Sequence, residues 1–198
     1  MLHIGLTGNV AAGKSTVAAL FERWGATVID ADTVVRELQA PGSPVLAAVV
    51  ARFGPGILAA DHSLDRAGLR RLILGDPAAR RDLEAIVHPA VLARRGELLA
   101  DARARGARVV VSDIPLLFET MDPAEFDAVV LVDAPEALRR RRLIERRGLS
   151  AQEADALIAA QAPSGPKRAR STRVIENDGD AAELEARARA VWDALTTA

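Results

Sequence analysis

The sequence predicts an α/β protein: a five-stranded parallel sheet flanked by helices, carrying an inserted helical lobe and a lid. Three observations predict it. Short apolar segments rich in β-branched residues recur between helical stretches, the pattern of βαβ units. The first segment runs straight into a glycine loop, and the gap between the second and third is too long for one crossover helix.

The first strand candidate is Leu2-His3-Ile4-Gly5-Leu6-Thr7. It leads into Gly8-Asn9-Val10-Ala11-Ala12-Gly13-Lys14-Ser15, a complete G-x-x-x-x-G-K-[ST] phosphate loop. Apolar residues then recur at Val17, Leu20, Phe21 and Trp24, the i, i+3, i+4, i+7 spacing of a helix, and Gly25 suits its C′ position. Backbone N–H groups of the loop and the helix N-terminus can cradle phosphates, Lys14 reaching the β- and γ-phosphates and the Ser15 hydroxyl holding Mg²⁺. Of 26 basic residues only Lys14 and Lys167 are lysine, so an arginine-rich composition keeps a compact ammonium where the motif requires one. The loop therefore predicts nucleoside triphosphate binding. A dinucleotide fold is excluded, because the middle glycine of G-x-G-x-x-G is missing and Lys14-Ser15 has no role in it.

The second strand candidate, Thr27–Asp30, ends in Asp30-Ala31-Asp32, at the sheet edge that a parallel topology shares with the phosphate loop. Asp32 is expected to accept a proton from an attacking hydroxyl, and Asp30 to cap the helix that follows. Residues 36–105 carry helical patterns broken at Pro41-Gly42-Ser43-Pro44, Gly54-Pro55-Gly56, Gly75-Asp76-Pro77 and His88-Pro89, and read as a lobe. His88 reads more readily as structural or surface than as catalytic. The third strand candidate, 108–112, leads to Asp113, either a Mg²⁺-facing carboxylate or a turn residue before Pro115.

After the strand candidate at 128–132 comes an excursion from Pro135 to Ser171. Its arginine run (Arg139–Arg142, Arg146, Arg147) is either a solvated helix face or a source of guanidinium donors to a transferring phosphoryl group. With few large apolar residues, the excursion is expected to be loosely packed and mobile, and loop-like over 162–166. The last strand candidate is 172–175, and a closing helix is expected over 180–196, with Leu184, Val191, Trp192 and Leu195.

Net charge is −1 and aromatics are 3% with no tyrosine, which argues against nucleic acid and anionic membranes as partners. No cysteine is present, excluding disulfides and thiol chemistry and fitting a reducing compartment. No apolar run approaches the ~18 residues of a membrane span, and no export signal opens the chain, so a cytoplasmic protein is expected.

Nearly the whole chain resembles the dephospho-CoA kinase family. The resemblance rests on Leu6-Thr7-Gly8 with Gly13-Lys14-Ser15-Thr16-Val17, Asp30-Ala31-Asp32, Leu64-Asp65-Arg66, His88-Pro89 and Pro115-Leu116-Leu117-Phe118-Glu119. It continues through Val132-Asp133, Arg142-Leu143 and Arg146, Ala160-Gln161, Lys167, and Val174-Ile175-Glu176-Asn177. It implies a P-loop kinase that uses ATP and Mg²⁺ to phosphorylate the ribose 3′-hydroxyl of dephospho-CoA, as a monomer or small homo-oligomer. Asp32 would be the general base, with Lys14 and Arg142 catalytic beside it. Residues Gly8 to Thr16, Arg142, Arg146 and Asn177 would bind ATP, and Ser15 the metal. Asp32, Arg66, His88, Leu116 and Glu119 would bind the acceptor. The nucleotide core would comprise 1–35, 106–135 and 172–198, the CoA-binding lobe 36–105 and the lid 136–171.

Departures are local. Asn9 stands where the family usually has glycine, Ala11-Ala12 where it has Gly-Ser, Arg139 where glutamine is common, and Ser171-Thr172 where it has Ala-Asp. A nucleotide monophosphate kinase is the alternative enzyme. A GTP-driven switch is the alternative outside enzymes, but no Asn-Lys-x-Asp string is present.

Overall fold

The computed structural model describes residues 1–197. Its strands are β1 (Leu2–Gly8), β2 (Thr27–Asp30), β3 (Val109–Asp113), β4 (Ala128–Asp133) and β5 (Arg173–Glu176). Its α-helices are α1 (Lys14–Arg23), α2 (Ala31–Leu38), α3 (Pro44–Phe53), α4 (Arg66–Leu74), α5 (Pro77–Ala104), α6 (Leu117–Thr120), α7 (Glu136–Arg147), α8 (Ala151–Ala159), α9 (Ser164–Ala169) and α10 (Ala181–Thr196). They form two compact units, Met1–Ile29 with Ala102 onward, and Asp30–Asp101.

The first unit is built on a sheet in the order β2-β3-β1-β4-β5. β1 pairs in parallel with β3 and β4, and β4 with β5. The central strands are the most apolar: every residue of Val109–Asp113 and Ala128–Asp133 is buried, as strands covered on both faces require. The edge strands β2 and β5 are four residues each and only partly buried. Parallel pairing sends Gly8, Asp113, Asp133 and Glu176 to one edge of the sheet, where ligands bind in open α/β folds.

One hydrophobic cluster joins Val17 and Phe21 of α1 to Ile4, Leu6, Val130 and Ile175 of the sheet and to Leu184 and Trp192 of α10. The rings of Phe21 and Trp192 lie 5.3 Å apart, in tilted contact. The expected helix stop at Gly25 is present: its φ is +102°, and the Ala26 N–H reaches back to the Phe21 carbonyl at 2.9 Å. α10 starts at a reciprocal cap between Asp180 and Glu183.

Contrary to expectation, the excursion between β4 and β5 has a core of its own. Leu143 of α7 meets Ala154 and Ile158 of α8, and Val10, Ala11, Ile144 and Leu149 pack against them. The few apolar residues suffice because they are concentrated on the facing sides of two helices and on the phosphate loop. Replacing the fully buried Leu143 by alanine is expected to lower unfolding free energy by about 2–5 kcal/mol, measurable by urea denaturation. The segment 162–166 is not all loop either, since α9 begins at Ser164. Pro166 sits in its first turn, where a missing N–H is no loss.

The second unit has a separate core of Leu46, Val49, Ile57, Leu64 and Leu69, with Leu83, Ile86 and Val87 of α5 against it. Three expected breaks are real: Ser43 caps the start of α3, Gly54 at φ +82° ends that helix, and Asp76 caps the start of α5. The fourth is not. α5 continues through His88-Pro89 as a 28-residue helix. Packing of Leu83, Ile86 and Val87 outweighs the local cost of about 3 kcal/mol for an internal proline. Among the described residues, no helix is long and apolar enough to cross a membrane.

Candidate active site

The phosphate loop joins the carboxyl end of β1 to α1. Its shape depends on two left-handed residues, Ala11 at φ +58° and Gly13 at φ +102°. The N–H groups of Ala11, Gly13, Lys14 and Ser15 have no acceptor among the described residues, leaving an anion cradle at the positive end of α1. Ala12 is fully buried. Lys14 forms an ion pair with Asp113, a buried carboxylate at the end of β3. Asp113 therefore reaches the cradle and is not merely a turn residue. The hydroxyl of Ser15, in the first turn of α1, is exposed and makes no hydrogen bond among the described residues; Thr16 is exposed beside it.

Gly13 is held by a neighbour as well as by its φ. Asn177, 5% exposed, donates from Nδ2 to the Ala12 carbonyl at 2.6 Å, and a Cβ on Gly13 would overlap that amide. Gly13→Ala is thus expected to cost at least about 2 kcal/mol of stability and to abolish tight nucleotide binding, checked by thermal unfolding and ATP titration.

α7 selects among the arginines. Arg142 is half-buried and donates to the Ala11 carbonyl at 3.3 Å, to the Asn177 carbonyl at 3.1 Å and to Asn177 Oδ1 at 3.0 Å. Burial lowers its pKa from the ordinary guanidinium value, and the neighbouring Arg146 and Arg141 charges lower it further. Arg146 is exposed, with no hydrogen bond or ion pair among the described residues. Arg139 is buried, with its Nε on the Ala134 carbonyl, and Arg140 is tied to Asp155.

A cavity of about 770 Å³ adjoins the loop, lined by residues including Asn9, Asp133, Pro135, Arg139, Gln161 and Glu176. Val10 donates its N–H to Gln161 Oε1 at 2.7 Å. At the carboxyl side of β3, Leu116 is 46% exposed, and Glu119 pairs with Lys167 at 2.8 Å. Lys167 is buried, and the one hint of this in the sequence is that it is a lysine among so many arginines.

In the second unit, Asp30 caps α2 as expected, accepting from the Asp32 N–H at 2.9 Å and from the Thr33 hydroxyl at 2.8 Å. Asp32 lies in the first turn of α2, exposed, with a carboxylate that no hydrogen bond or ion pair engages among the described residues. Arg66, at the start of α4, donates to Gln39 Oε1 at 2.9 Å. His88 is exposed in α5. Among the described residues no cluster of three or more His, Cys, Asp or Glu side chains could hold a metal alone. Any ion here would be held chiefly by a ligand's own oxygens. The Ser15 hydroxyl and the Asp113 carboxylate are hard oxygen donors, the kind that Mg²⁺ takes.

Comparison with known proteins agrees with this architecture. A family model described as dephospho-CoA kinase matches residues 2–183. A dephospho-CoA kinase from Symbiobacterium thermophilum is 46% identical over 194 residues, covering 98% of this chain and 81% of that protein. The crystal structure of TT1252 from Thermus thermophilus superposes with a TM-score of 0.83 at 40% identity, covering 98% of both chains. A dephospho-CoA kinase from Campylobacter jejuni shares the fold, with a TM-score of 0.74 at 22% identity over 98% of this chain and 97% of that one.

Proposed function

The chain belongs to the dephospho-CoA kinase family, and from that premise we propose that it transfers the γ-phosphoryl group of ATP to the ribose 3′-hydroxyl of dephospho-CoA, giving coenzyme A and ADP. The observation that carries this is the cradle: unpaired N–H groups at Ala11, Gly13, Lys14 and Ser15, with the Lys14 ammonium beside them. In it the loop amides take the ATP phosphates, and Lys14 exchanges Asp113 for the β- and γ-oxygens. Mg²⁺, held by Ser15 and Asp113 together with the phosphates, would neutralise charge on the transferring group.

Asp32 orients the acceptor hydroxyl and takes its proton as the oxygen attacks phosphorus, while the ADP oxygen leaves in line. Its free, exposed carboxylate two residues beyond the end of β2 supports that role. Arg142 and Arg146 balance charge on the phosphates. The cavity beside Asn9 has both acidic (Asp133, Glu176) and basic (Arg139, Arg168) walls, which suits a neutral nucleoside better than a polyanion.

Arg66, His88, Leu116 and Glu119 are proposed for the acceptor. Residues 1–35, 106–135 and 172–198 would then serve as nucleotide core, 36–105 as acceptor lobe and 136–171 as lid. Work in the cytoplasm as a monomer or small homo-oligomer completes the proposal. The test is ADP release with ATP, Mg²⁺ and a panel of acceptors including dephospho-CoA and nucleoside monophosphates. Turnover with dephospho-CoA alone is expected, and preference for a monophosphate would overturn it.

A further inference from the structure

The chemistry above uses one of the two lysines. The other, Lys167 on α9, is 3% exposed. Its Nζ donates to Asn9 Oδ1 at 3.0 Å and pairs with Glu119 Oε1 at 2.8 Å. A buried ammonium is costly unless its donors are met, and here both acceptors come from segments that border the nucleotide site. One belongs to the phosphate loop and the other to α6, the short helix after β3.

Asn9 is engaged on its other side as well. Its Nδ2 donates to Ser164 Oγ at 3.2 Å and to the Ala162 carbonyl at 3.4 Å. Asn9 itself is only 5% exposed. Both polar atoms of this side chain are therefore spent on α9 and the turn before it. The next loop residue is fixed from the same direction, through the bond from Val10 to Gln161. Glycine at position 9 could make none of the Asn9 bonds. The loop they restrain contains a non-glycine residue at positive φ, Ala11, a conformation that persists only where surrounding contacts enforce it.

We propose that Asn9 and Lys167 are a positioning pair: α9 holds the first half of the phosphate loop in its anion-binding shape through them, and Glu119 keeps the ammonium in place. Neither side chain touches the reacting atoms. The pair pre-organises binding, so its loss shows first in nucleotide affinity. This rests on the loop being the ATP phosphate site.

The experiment measures equilibrium binding of ATP with Mg²⁺ to the full chain, and separately kcat at saturating ATP. The variants are Asn9→Gly, Lys167→Met and the double substitution. Each single variant is expected to weaken ATP binding about tenfold, the scale of one charge-assisted hydrogen bond. At saturating ATP, each should lose less in kcat than it loses in ATP affinity. The double variant should lose less than the sum of the two single losses, because both substitutions remove the same Asn9–Lys167 contact. Additive losses, or a fall in kcat with unchanged ATP affinity, would overturn the pairing. Asn9→Gly removes no buried charge, so if Lys167→Met does not fold, Asn9→Gly decides alone: unchanged ATP affinity overturns the proposal. A parent protein that binds ATP but phosphorylates no dephospho-CoA would end the proposed reaction and leave this pairing standing.

Discussion

Lys14→Met is expected to reduce ADP release from ATP and dephospho-CoA by at least about 10³-fold. Phosphoryl transfer is accelerated almost wholly by positioning and charge stabilisation, and a cation on the β- and γ-oxygens is among its largest single contributors. Methionine keeps an unbranched apolar stem like that of lysine while removing the ammonium. The substitution also leaves Asp113, 6% exposed, without its ammonium partner beside incoming phosphates, which adds repulsion to the lost attraction. The assay is run at saturating ATP with thermal unfolding in parallel. Activity within tenfold of the parent in a folded variant would remove Lys14 from the reaction.

Asp32→Asn is expected to lower kcat by at least about 10²-fold while leaving ATP affinity unchanged. The structure makes this test unusually clean. The Asp32 carboxylate is exposed and has no partner among the described residues, so amide replacement should shift stability by less than about 1 kcal/mol, chiefly through the lost charge at the start of α2. The neighbouring Asp30→Ala is the opposite case. It removes two hydrogen bonds that start α2 and should cost about 1 kcal/mol of stability. A variant Asp32→Asn that turns over at the parent rate would disqualify this carboxylate as base.

Sequence alone reached far into the fold because its strands are chemically unmistakable. Val109-Val110-Val111 and Ala128–Val132 are uninterrupted apolar runs, short and rich in β-branched valine, which suits the covered middle of a sheet. Caps at Ser43, Asp65 and Asp180 are likewise local chemistry, readable within four residues. Pro89 was misleading because a local rule was outweighed by contacts that come from residues elsewhere in the lobe.

The site was legible only in part. The phosphate loop is contiguous and announces itself. Arg142 is one of several identical side chains in a row, and what sets it apart is the hydrogen bonding of its guanidinium to Ala11 and Asn177 across the fold. Asp113 was ambiguous for the same reason: its partner Lys14 is 99 positions away in the chain. Lys167 and Asn9 are 158 positions apart, and no spacing rule connects them.

The low exposure of both lysine side chains has a practical corollary. Arginine carries the remaining basic charge, and guanidinium groups do not acylate at neutral pH, while Lys14 and Lys167 side chains are only 16% and 3% exposed. The folded surface thus offers almost no side-chain primary amine and, with no cysteine, no thiol. Amine-directed reagents would report chiefly on the N-terminus and on whether the ammonium at the mouth of the nucleotide cradle is covered.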